Sequence, residues 1–119
     1  MTVRMQFQVR EQIDPPAFIF ELEGTIDSER SLEKLTHYLT GSDKKHHILV
    51  LRKIRYVNSC GFSELVLLND TAVKNGKTIY FVDLSDKVRA VILPMGGAQV
   101  LNLLHDEEAA LSKIENAFA

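Results

Sequence analysis

The feature that most constrains this chain is a pair of short apolar runs set one helix apart. Ile48 to Leu51 is an uninterrupted apolar stretch of strand length, and Ile79 to Val82 is a second. Between them Phe62, Leu65, Val66, Ala72 and Val73 recur at helical spacing, and Asn75-Gly76 supplies the residue types that end a helix. Strands that read as continuous apolar runs are covered on both faces, as in parallel sheets. The segment therefore predicts a βαβ unit, whose crossover is right-handed in nearly all known cases.

The flanking segments extend the same pattern. Phe7 and Val9 alternate with Gln6, Gln8 and Arg10, the period of a half-buried strand. Asp14-Pro15-Pro16 then turns the chain, because proline has no N–H to give to a ladder. A second strand is expected over Ala17 to Glu23, with Phe18, Phe20 and Leu22 on one face, Ile19, Glu21 and Glu23 on the other, and Gly24 closing it. Asp27 and Ser28 are candidate caps for a helix carrying Leu32, Leu35 and Leu39, which Gly41-Ser42-Asp43 ends. Beyond Val82, Ser85 can cap a short helix with Val88, Val91 and Ile92, stopped by Pro94 and Gly96-Gly97. Val100 to Leu104 reads as a last strand. Asp106 caps a final helix with Leu111, Ile114 and Phe118 as its buried stripe. The order ββαβαβαβα predicts an α/β domain, a largely parallel sheet with an antiparallel first strand and helices mainly on one face.

The 119 residues suit one domain spanning 1–119. Hydrophobic residues at 45% and charged residues at 25% are enough for a core. A net charge of -2 supplies no electrostatic footprint for nucleic acid or an anionic membrane. The single cysteine, Cys60, cannot close an internal disulfide, so a reducing, cytoplasmic setting is expected. No apolar run is long enough for membrane insertion. Phosphate-loop, dinucleotide and zinc signatures are missing, so neither cofactor nor metal is expected, and no catalytic residue is assigned.

Chemistry concentrates at Asn58-Ser59-Cys60-Gly61, a strand-to-helix junction. Free N–H groups and the positive end of the helix dipole favour negative charge there, so a phosphate would be well housed. Ser59 or Asn58 as a plain N-cap explains the same residues. Cys60 near basic residues could have an activated thiol, but a small buried residue is the expected reading. Tyr56 is expected to pack under the loop, and His37, His46, His47 and His105 to lie at surface or edge positions.

Taken in order, these segments resemble the STAS domains of bacterial anti-sigma factor antagonists. Gly24-Thr25-Ile26-Asp27 is similar to that family's Gly-x-Leu/Ile-Asp, and Tyr56-Val57-Asn58-Ser59-Cys60-Gly61-Phe62 to its aromatic-x-Asp-Ser-Ser-Gly-Leu. Asn75-Gly76-Lys77 resembles its turn before the next strand, Val88-Arg89 through Gly96 its third helix and glycine, and Asp106 to Leu111 the acidic, alanine-bearing start of its last helix.

The resemblance implies a partner-switching signalling protein that controls transcription without catalysis of its own. Its partner would be an anti-sigma factor with serine kinase activity. Ser59 would be phosphorylated, the phosphoform would release the partner, and a phosphatase of the PP2C type would reset the cycle. The contact would use Ser59 with Asn58, Cys60, Gly61 and Phe62 on the helix Cys60–Asn75. It would also draw on Asp27 and Ser28, since loops after adjacent parallel strands emerge at one edge.

The pattern departs where Asn58 stands for aspartate and Cys60 for the second serine. It departs again at Arg52, Lys53 and Arg55, a basic loop that could pair with a phosphate on Ser59 or an acidic partner. A non-phosphorylated structural module, such as a lipid-transporter accessory subunit or a scaffold, is the alternative. If Leu49 and Leu51 face the helices, Ile48, Val50 and Ile19 form an apolar patch on the opposite face, open to weak homodimerisation unless the first strand or a terminal segment covers it.

Overall fold

The computed structural model describes residues 5–117. A hairpin of β1 (Gln6–Gln12) and β2 (Ala17–Ile26) leads into α1 (Glu33–Thr40) and the long β3 (His46–Val57). There follow α2 (Ser59–Lys74), β4 (Thr78–Val82), α3 (Asp86–Ile92), a helical turn α4 (Gly97–Val100), β5 (Leu103–Leu104) and α5 (Glu107–Ala117). The sheet order is β1-β2-β3-β4-β5, with β1 antiparallel to β2 and every later pair parallel. Each crossover steps to the neighbouring strand, as the alternation of strands and helices predicts.

Alternation along the central strands divides the core in two. Leu49 and Leu51 of β3, with Phe20, Leu22, Ile79 and Phe81, face Leu35 and Leu39 of α1, Leu65 and Ala72 of α2, and Val88 and Ile92 of α3. The opposite face presents Ile19, Ile48, Val50 and Val82 to Ala110 and Ile114 of α5. Ile19, Ile48 and Val50 are each 0% exposed. Of the two outcomes the sequence left for this face, an open patch or cover by a terminal segment, the structure shows the second: α5 covers it, which removes the ground for homodimerisation through that face. Asp106 caps this helix by accepting from the Ala109 N–H at 2.9 Å, and Arg10 of β1 is ion-paired with Glu107. Phe118, expected in the helix's buried stripe, lies outside the described residues.

Several boundaries, and the burial of two histidines, differ from the sequence reading. Gly24 does not close β2: it sits inside the strand at φ 108, between register shifts that let the chain run on to Ile26. Such a φ is easy only for glycine. Arg52, Lys53 and Arg55 lie in β3 rather than in a loop. In this half of the strand Ile54 and Val57 face the helices while the intervening side chains are solvated, so the apolar run stops before the strand does. The expected strand Val100 to Leu104 shrinks to Leu103–Leu104, because Gly97–Val100 winds into a turn closed by Leu101 N–H on the Gly97 carbonyl at 2.9 Å. His46 and His47 are not peripheral. As the first residues of the central strand they are 5% and 0% exposed. His47 stacks near Phe18 and Phe20, with Nε2 3.1 Å from Ser42 Oγ.

Among the described residues no helix is long and apolar enough to cross a membrane.

Candidate functional site

The end of β3 and the start of α2 form the junction singled out by the sequence. Asn58 has an extended backbone, and its side-chain oxygen accepts from the Gly61 N–H at 2.8 Å, which makes it the N-cap. Phe62 N–H bonds to the Asn58 carbonyl at 2.9 Å. The first helical N–H groups, those of Ser59 and Cys60, have no carbonyl behind them in the helix and remain available to solvent or an anion. Ser59 is exposed at the first helical position. Its hydroxyl makes no hydrogen bond to another described residue, while its carbonyl accepts from Ser63 Oγ at 3.1 Å.

The loop after β2 comes to the same edge. Asn58 Nδ2 donates to the Asp27 carbonyl at 3.2 Å, joining two loops 31 residues apart. Asp27 and Ser28 do not cap α1, as the sequence suggested: the helix starts later, after Leu32, with no side-chain cap. Instead their N–H groups donate to Ser31 Oγ at 3.3 and 3.1 Å, and the Ser28 hydroxyl lies 3.1 Å from the same oxygen. Ser31 was not among the expected residues. Its spacing of three from Ser28 is the available signal, shared by many exposed serines.

Gly61 and Phe62 serve the site from below. A Cβ on Gly61 would lie 1.7 Å from the Ile26 carbonyl oxygen, so only glycine lets α2 start this close to the end of β2. Phe62, 7% exposed, packs in the helix-side core instead of offering a surface contact. The edge thus exposes Ser28 and Ser59, with Asp27, Asn58 and Cys60 half-buried beside them.

The basic residues upstream are placed otherwise than a phosphate-binding role requires. Arg52 grips Glu21 with two parallel bonds of 3.0 Å and lies 3.7 Å from Asp83. Lys53 reaches the same Glu21 at 3.8 Å. Arg55 is exposed without an ion pair among the described residues, and Tyr56, expected to pack, is 51% exposed. No cluster of three or more histidine, cysteine, aspartate or glutamate side chains among the described residues could hold a metal ion.

No family model and no curated protein matches the sequence. Solved structures do. An anti-sigma factor antagonist from Mycobacterium paratuberculosis superposes with a TM-score of 0.78 at 15% identity, covering 96% of this chain and 98% of that one. SpoIIAA, an anti-sigma factor antagonist solved in unphosphorylated and phosphorylated forms and described as a Bacillus cell fate determinant, is similar to this chain. The unphosphorylated form gives a TM-score of 0.70 at 14% identity over 93% of this chain and 97% of that one. A sulfate transporter family protein from Wolinella succinogenes gives 0.72 at 18% over 86% and 87%. The chain has the fold of the STAS domain anti-sigma factor antagonists.

Proposed function

We propose that this protein is a bacterial, cytoplasmic anti-sigma factor antagonist, a binding regulator of transcription whose contact surface is the edge around Ser59. Its partner is an anti-sigma factor with serine kinase activity, and phosphorylation of Ser59 releases that partner until a phosphatase restores the hydroxyl. The supporting observation is the placement of Ser59. An exposed hydroxyl without a hydrogen-bond partner among the described residues heads a 16-residue helix, in a motif like that of the antagonists. A phosphate there adds about -1.5 to -2 charges, which the helix N-terminus tolerates within the fold. At an interface shaped for a neutral hydroxyl the same group brings bulk and unpaired charge.

The test is affinity for the cognate kinase, measured by calorimetry on wild type, the phosphoform, Ser59→Ala and Ser59→Asp, with intact mass after incubation with ATP. Wild type is expected to gain one phosphate and Ser59→Ala none, while retaining binding. The phosphoform and Ser59→Asp are expected to lose about a hundredfold in affinity or more, several kcal/mol of like-charge and desolvation cost at about tenfold per ~1.4 kcal/mol. Equal affinity throughout would leave Ser59 a helix residue without a switching role.

A second reading, a structural module that is never phosphorylated, draws on the amide at position 58. Asn58 is committed on both sides, to Gly61 and to Asp27, where the antagonist motif carries an acid. The similarity to a sulfate transporter family protein fits that reading. Absence of phosphate transfer from any partner kinase would favour it.

A further inference from the structure

Helices α1 and α2 lie on the same face of the sheet and leave a groove between them. Its floor is apolar: Leu32 and Leu68 are each 2% exposed. Leu67 stands in its wall 57% exposed. A single exposed leucine is ordinary. What surrounds this one is not, because Glu29, Glu33 and Glu64 line the same groove against one guanidinium, that of Arg30. None of the three carboxylates is in an ion pair among the described residues. The Glu64 carboxyl is raised above its ordinary range, first by burial and then by the charge of Glu29. The groove therefore combines three carboxylates without a paired cation among the described residues, one of them, Glu64, half-buried beside the charge of Glu29, with uncovered apolar surface. A cation relieves the first and an apolar side chain covers the second.

We propose that this groove docks a basic segment of a partner protein. An apolar side chain of that segment covers Leu67, and lysine or arginine side chains pair with Glu29, Glu33 and Glu64. Opposite potentials steer such an encounter and disfavour acidic competitors, while burial of the leucine holds it. The groove lies along the same helix that Ser59 heads, but docking there requires no phosphate.

The test is a titration of the isotope-labelled full chain, followed by amide NMR, with a synthetic amphipathic peptide of leucine and lysine. The same peptide with glutamate in place of lysine is the control. Shifts are expected to cluster at Glu29–His37 and Glu64–Thr71 for the lysine peptide only and to weaken as salt is raised. Glu29→Gln with Glu64→Gln, and separately Leu67→Gln, should each weaken binding about tenfold with the spectrum otherwise preserved. Shifts centred elsewhere, equal binding of the glutamate peptide, or unchanged affinity in the variants would overturn the proposal. The titration contains neither ATP nor kinase, so its outcome is separate from whether Ser59 accepts phosphate.

Discussion

The side-chain amide of Asn58 donates to the main-chain carbonyl of Asp27 across 3.2 Å, while its oxygen holds the Gly61 N–H. One side chain thus closes the helix start and ties it to the neighbouring loop. An ionised aspartate could do the first but not the second, because it has no proton to donate and would face the carbonyl oxygen with charge. Asn58→Asp should keep the cap, with a stability change within about 1 kcal/mol, yet loosen residues 27–31. Asn58→Ala should lose both bonds and about 1–2 kcal/mol. Denaturant unfolding reads the stability, and hydrogen exchange at Ser28 and Ser31 reads the loop.

Gly61→Ala asks the backbone to move. The added carbon meets the Ile26 carbonyl oxygen at 1.7 Å and its carbon at 2.6 Å, and neither atom can rotate away. Overpacking of this kind costs about 1–3 kcal/mol and sometimes more, and the upper end is expected because the obstacle is main chain. A shift in urea midpoint without a change in slope would register it as lost stability rather than altered compactness.

Ser59→Asp places a negative charge in the first turn of α2, which has no acidic residue of its own there. The dipole should reward it with about 0.3–1 kcal/mol of stability at low salt, less at high salt. Thermal melts at two ionic strengths check this without any partner. A destabilised variant would mean that the hydroxyl has a structural role missed by its exposure.

Mild acid should weaken the fold through its two buried histidines. Burial, then Lys77 and His46, lower the His47 pKa to about 4, and burial followed by Lys45 lowers that of His46. His47 is thus neutral in the native protein when the unfolded chain already binds protons near pH 6.5, and His46 is shifted in the same direction. With native pKa values depressed, the stabilising contribution is full above about pH 6.5 and is lost as pH falls towards 4. For His47 alone the loss is on the order of 3 kcal/mol. Unfolding free energies measured between pH 7.5 and 4 should slope downward in wild type and clearly less in His47→Gln.

The elements that could be read from the sequence are those whose side chains carry their own evidence. Ile48 to Leu51 is apolar on both faces because both faces are covered, and that run predicts a central strand. Ser85 and Asp106 show the helix starts, and each accepts the N–H its position implies. The covering helix α5 could not be assigned to the second face, since alternation along β3 says that a face is apolar, not which segment lies on it. The second half of β3 was hidden for a related reason: charged residues on one face and bulges at Glu21/Glu23 and Gly24/Thr25 break the two-residue period. His46 and His47 looked peripheral because polarity is judged one residue at a time, whereas their burial follows from the strands on either side. At the site, the Asn58 cap was legible as local chemistry. The Asn58–Asp27 bond and the approach of Gly61 to Ile26 were not, being contacts between segments more than thirty residues apart.

That approach bears on what kind of signal this edge can carry. With the Gly61 α-carbon pressed against the main chain of Ile26 and the Asn58 side chain bonded on both sides, the head of α2 is pinned at two points against the neighbouring loop and strand. A group added to Ser59 would find a rigid mount. The message would be written in charge and shape on an unmoved surface, legible to a partner by direct touch and invisible to the far side of the sheet.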